Sequence, residues 1–141
     1  MEAHFLSEVV AGPPTFQDRP WYNPHGDCIV HQVADEAIIA DRIDELLTLY
    51  RSAIDRRVIG YQIKGVMTLI RKFGWDGLTV HCVTGKARDE VQQVSIAALL
   101  LAAYEVGPPT ISRRVGYAQG LQTKADAVIP AAELCGAADQ Q

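Results

Sequence analysis

Two apolar runs rich in β-branched and aromatic residues, Leu46 to Tyr50 and Val58 to Lys64, flank a polar break at Asp55-Arg56-Arg57. This pattern predicts a β-hairpin, with strands near 45–53 and 57–64, whose apolar face must find a core elsewhere in the chain. Ile59, Tyr61 and Ile63 alternate onto one face, and Val58, Gly60, Gln62 and Lys64 onto the other. Gly60 removes a side chain from the second face, which predicts a close approach there. Gly65 ends the run, and Val66, Leu69, Ile70 and Phe73 then fall at helical spacing up to Gly74, a candidate C-cap.

Upstream, Cys28 to Val33 alternates as a strand after the turn Trp21 to Asp27, where Asn23-Pro24 initiates and Gly26 permits a positive φ. Residues 36–50 support two readings. Ile39, Ile43, Leu46 or Leu47, and Tyr50 have helical spacing with Asp35 as a cap, yet Leu47 to Arg51 leads into a turn and a second β-rich run. A helical or irregular crossing at 36–44 followed by strand is one division; a single helix through 50 is the alternative. Downstream, Leu78 to Val83 reads as a fourth strand after a Trp75-Asp76-Gly77 turn.

Lys86 to Val106 reads as the long helix. Thr84 offers an N-cap, Asp89 and Glu90 suit the first turns, and Gly107-Pro108-Pro109 stops it. Its stretch Ile96 to Tyr104 is apolar on every face, which predicts enclosure by its own fold or by a partner chain. In a chain this small, a partner's contribution is favoured. Weaker signals mark a short helix at Tyr117 to Lys124 and a strand-like piece at Ala127 to Ile129. Prolines 13, 14, 20 and 24 make residues 1–20 an arm, leaving 21–134 as a single domain and 135–141 as a frayed end. The expected fold is α+β: a small antiparallel sheet of about four strands, one long apolar helix on one face, and a shorter helix at 66–73.

Length agrees with this picture, since 141 residues can bury a core without disulfides or metals. A net charge of −4 argues against a dedicated nucleic-acid binder. Three cysteines, Cys28, Cys82 and Cys135, make no metal motif and fit a reducing compartment. The N-terminal stretch lacks the basic and apolar regions of a signal peptide, and no apolar run approaches the ~20 residues of a membrane span. The expectation is a cytoplasmic protein.

Tyr22-Asn23-Pro24-His25-Gly26-Asp27, Leu47-Thr48-Leu49-Tyr50 and Arg57-Val58-Ile59-Gly60-Tyr61-Gln62-Ile63-Lys64 together resemble a small bacterial domain of unknown function. Its pattern runs Y-D-P-x-x-D, two strands, then G-x-x-V-G-x-x-I, and the similarity covers about residues 21–66. Asn23 here replaces the usual acid, and Arg57 stands where a turn glycine often precedes the valine. The resemblance implies a compact sheet packed with a helix, with no established activity and no catalytic residues to carry over.

Candidate chemistry is sparse. His25, Asp27 and His31, with His81 approaching from another strand, are of the right type for zinc or iron, but the spacing matches no ligand motif and no metal or other cofactor is assigned. Cys28 and Cys82 read as small buried hydrophobes on strands. His81 points to the opposite face from Cys82 and cannot activate it. Lys64 is a candidate anion or Schiff-base lysine, or simply an edge lysine that discourages further pairing. Thr84-Gly85-Lys86 is a fragment of an anion-binding turn without the full phosphate loop. The pairs Arg56-Arg57, Arg71-Lys72 and Arg113-Arg114 read as solvated surface.

With no catalytic residue assigned, the expected function is a non-enzymatic homo-oligomeric interaction or regulatory module, a dimer being favoured, without nucleic acid or membrane. The alternative is a small-molecule- or metal-binding protein or minor enzyme, whose pocket beside the sheet would gather Lys64, Gln62, His31 and His81.

Overall fold

The computed structural model describes residues 16–83, 90–124 and 126–134, with the backbone alone at 80–83, 90 and 91. Most of the arm (1–15), the Thr84 to Asp89 segment and the C-terminal 135–141 lie outside the described residues. The fold is α+β, built on a five-stranded antiparallel sheet and a second sheet of three strands. The first sheet holds β1 (Trp21–Asn23), β2 (Cys28–Gln32), β3 (Ile38–Arg42), β4 (Leu47–Ser52) and β5 (Val58–Lys64), in the order β1-β2-β5-β4-β3. The second holds β6 (Thr79–Val83), β7 (Glu90–Ser95) and β8 (Val128–Pro130), with β7 central.

The predicted hairpin is the centre of the first sheet. Leu47↔Ile63 and Leu49↔Tyr61 pair directly, so the alternation read from the sequence puts Leu47, Leu49, Ile59, Tyr61 and Ile63 on one buried face. At Gly60 an added Cβ would lie 2.5 Å from the His31 carbonyl oxygen and 3.1 Å from the Tyr50 ring. Only glycine lets β2 and Tyr50 approach β5 this closely, as its position predicted.

Three expectations are corrected. Residues 38–42 are a strand, not a helical or irregular crossing: β3 pairs with β4 from Ile38↔Ser52 to Arg42↔Thr48. β-branched Ile38 and Ile39 suit a strand, and hairpin pairing with β4 overrides the helical spacing. Trp21 to Asn23, read as part of a turn, forms β1 against β2. The long helix is shorter at its start, because residues 90–95 form β7, with 90–94 paired to β6 and 93–95 to β8. The strand at 79–83 therefore belongs to the second sheet, not to the one containing the hairpin.

Helix α1 (Val66–Phe73) follows Gly65, whose φ of 69° only glycine adopts easily. Its start is capped from a distance. The Asp27 carbonyl accepts from Gly65 N–H at 3.0 Å, and its carboxylate accepts from Met67 N–H at 3.0 Å and from the Tyr22 hydroxyl at 2.7 Å. A one-turn helix α2 (Trp75–Leu78) leads into β6. Helix α3 (Ile96–Glu105) begins at Ser95, whose hydroxyl accepts from Ala98 N–H at 3.2 Å. Helix α4 (Ile111–Thr123), capped by Thr110, is longer than the short helix expected at 117–124. It packs on β5 and β4, while α3 packs against α4, α1 and β7 and so joins the two sheets through one core. Leu99, Leu100, Ala102 and Ala103 of α3 are buried in that core. The chain's own elements therefore cover most of the all-apolar helix.

Candidate functional site

The four predicted pocket residues do not converge. His31 pairs with Tyr61 and lies on the buried face of the first sheet, while Gln62 pairs with Val30 and Lys64 with Cys28 on the opposite face. His81 sits in β6 of the other sheet, opposite Gln92. Lys64 is exposed at the end of β5, but β5 is a central strand, so the edge-lysine reading is corrected too. Cys28 is a buried free thiol on β2, in keeping with its reading as a small hydrophobe. Among the described residues no three His, Cys, Asp or Glu side chains come together as a metal site would need.

His31 is instead part of a saturated chain of hydrogen bonds. Its Nδ1 lies 2.8 Å from the Tyr61 hydroxyl and its Nε2 2.7 Å from the Asp18 carboxylate. Burial pushes the Tyr61 phenol up, so it keeps its proton, and Nε2–H donates to the Asp18 carboxylate. Lys124, at the end of α4, lies 3.5 Å from the same carboxylate. This chain ties residue 18 to the sheet.

Arg113, expected on the solvated surface, is buried. Its Nε donates to Asp44 at 2.9 Å, its Nη2 to the Ala103 and Tyr104 carbonyls at 3.2 and 3.1 Å, and its Nη1 to the Pro108 carbonyl. The guanidinium lies against both the Tyr104 and Tyr117 rings, 4.9 and 5.2 Å from their centroids, and the rings themselves meet edge-on at 5.4 Å. Asp44 also accepts from Leu46 N–H, Leu47 N–H and the Tyr117 hydroxyl. Burial raises its carboxyl, but the Leu47 amide, Arg113, Tyr117 and the Leu46 amide outweigh it and hold the group below the ordinary carboxylate value. One arginine thus closes the C-terminus of α3, fixes the β3–β4 turn and anchors α4. A Cβ at Gly107 would lie 2.6 Å from the guanidinium carbon, so any other residue there displaces Arg113 from this position.

A groove of about 510 Å³ beside the sheet is lined by Arg51, Arg56, Arg57, Gln119 and Gln122, among others. Most of its charge is internally paired. Arg51 donates to Asp41 at 2.8 Å and to Gln119 at 2.8 Å, and Arg57 pairs with Glu36 and Asp55.

Another surface feature is apolar. Of nine exposed large apolar side chains among the described residues, five (Phe73, Leu101, Val106, Ile111 and Val115) belong to α1, α3, α4 or the α3–α4 loop. Leu101 is 55% exposed on a helix whose other leucines are buried. It stands as a ridge between two clefts. One, of about 190 Å³, lies toward α4 and is lined by Tyr104, Arg114, Ala118 and Leu121. The other, of about 260 Å³, lies toward α1 and α2 and is lined by Phe73, Leu78, Ala98 and Glu105. Ile111, Val115 and Ala118 continue the apolar stripe along α4 at helical spacing. The all-apolar composition of 96–104 pointed to this helix, but not to which residue would remain outside the core. Among the described residues no helix is long and apolar enough to cross a membrane.

Comparison with protein-family models, with curated proteins and with solved structures finds no match to this chain.

Proposed function

We propose that the protein is a non-enzymatic homo-oligomeric interaction or regulatory module that works through the α3–α4 face. The observation that carries this reading is Leu101: a leucine more than half exposed between two apolar clefts, on the helix that otherwise forms the core. Contiguous exposed apolar surface of this kind marks protein–protein interaction sites. The polar clusters support the same reading, because Asp18–His31–Tyr61 and Asp44–Arg113–Tyr117 are internally satisfied and serve the fold.

Size-exclusion chromatography with light scattering tests it. The wild-type chain is expected to run as an oligomer at micromolar concentration, and Leu101→Glu to run as a folded monomer. A wild-type mass of one chain counts against the proposal.

A second reading, binding of a small anionic molecule beside the sheet, is favoured by the Arg51–Arg56–Arg57 groove, where Arg56 alone of the three has no ion-pair partner among the described residues. A thermal-shift screen against phosphates and dicarboxylates separates the two readings. Stabilisation lost in Arg56→Ala supports ligand binding, and no shift with any probe removes it.

A further inference from the structure

We propose that the face around Leu101 docks a second copy of the chain about a two-fold axis running along α3, so that Glu105 of each copy meets the partner's Arg114. The proposal rests on the preceding reading of this face as an interaction surface and adds the partner's register to it.

Three features of the face point to this pairing. The first is shape. Leu101 is the one residue that lines both clefts, so the surface carries a ridge with a groove on either side. A two-fold axis running along α3 over Leu101 sets the two exposed leucines against each other and brings each cleft opposite the other kind of cleft in the partner, which is the geometry of an isologous interface. Both leucines then leave water.

The second feature is charge. Glu105 lines the cleft toward α1, and Arg114 lines the cleft toward α4. Both side chains are exposed, and among the described residues neither has an ion-pair partner within its own chain. The charges are opposite and flank the same apolar ridge.

The third feature is level along the helix. Glu105 ends α3, and Arg114 follows Arg113, whose guanidinium binds the Ala103 and Tyr104 carbonyls at that same end. A two-fold axis along α3 exchanges its two flanks while keeping the level. Each acid therefore comes opposite a base at two equivalent places. An axis across α3 would pair unlike ends, and head-to-tail stacking would not close.

Charge reversal tests the register directly. Glu105→Arg and Arg114→Glu each place like charges opposite one another at both contacts, and each is expected to weaken self-association by about 10-fold or more at low salt. Mixing the two variants restores opposite charges at both contacts, because one chain then carries only bases at positions 105 and 114 and the other only acids. The mixture is expected to form heterodimers of near wild-type affinity, read by light scattering or by native mass spectrometry of chains with different tags. Circular dichroism confirms that each variant is folded.

If Leu101→Glu leaves the wild-type mass unchanged, or the wild-type protein is a monomer at ~100 μM, where a stable dimer with Kd of order 1 μM would be associated, the surface itself is wrong and both readings fall. If Leu101→Glu dissociates the protein but the mixed variants do not reassociate, the surface stands and the two-fold register is overturned.

Discussion

Replacing Arg113 by methionine removes the charge and all four hydrogen bonds while keeping an unbranched side chain against Tyr104 and Tyr117. The Asp44 carboxylate keeps the two backbone amides and the Tyr117 hydroxyl but loses its counter-charge. Hydrogen bonds to charged groups contribute about 1.5–3 kcal/mol, and removing one partner of a buried pair costs about 3–5 kcal/mol. The Pro108 and Tyr104 carbonyls lie near the surface and regain water, so they add little. The expected loss is about 3–5 kcal/mol, or about 10–15 °C in Tm for a chain of this length. Urea denaturation followed by circular dichroism at fixed protein concentration measures it, with an unchanged m-value showing that the unfolded state is unaffected. Arg71→Met, on the exposed end of α1, is the control and should stay within about 0.5 kcal/mol of wild type. Gly107→Ala is expected to destabilise the wild-type protein by displacing the guanidinium, and to cost much less in the Arg113→Met background. A loss below about 1 kcal/mol for Arg113→Met would refute the account of Arg113 as the tie between α3, α4 and the β3–β4 turn.

Asp44 gives a pH dependence. Its carboxyl is held below the ordinary value in the fold, so the unfolded chain binds more protons, and the stability it contributes is present above about pH 4 and lost as pH falls through its folded value. Asp44→Asn should therefore lower stability near neutral pH and flatten its decline on acidification; parallel profiles would contradict this. Gly60→Ala should cost about 2–3 kcal/mol, because the new Cβ meets backbone of β2, whereas Gly77→Ala meets nothing within 4 Å and should be neutral or stabilising by up to about 1 kcal/mol. Tyr61→Phe should cost about 1–3 kcal/mol by leaving the buried Nδ1 of His31 without a hydrogen-bond partner, and thermal unfolding reads it.

Sequence alone determined the elements whose local pattern and burial agree. The hairpin of β4 and β5, the strand at β2, the α1 helix between Gly65 and Gly74, and the close approach at Gly60 all follow from alternation, helical spacing and glycine placement. Where two periodicities competed, strand pairing decided. Ile38 to Arg42 became a strand because β4 was there to bond it, and residues 90–95 left the long helix because β6 and β8 flank them. The sites followed the same rule. Which face His31 shares, that it meets Asp18 and Tyr61, and that Arg113 lies inside while Arg114 lies outside depend on contacts between elements tens of residues apart. An arginine pair reads as surface in one dimension because nothing in its neighbourhood reveals the carboxylate 69 positions away. Leu101 is the clearest case. Composition made 96–104 an enclosed helix, but only the packing of α3 against α1 and α4 determined that this one leucine would face outward between two clefts.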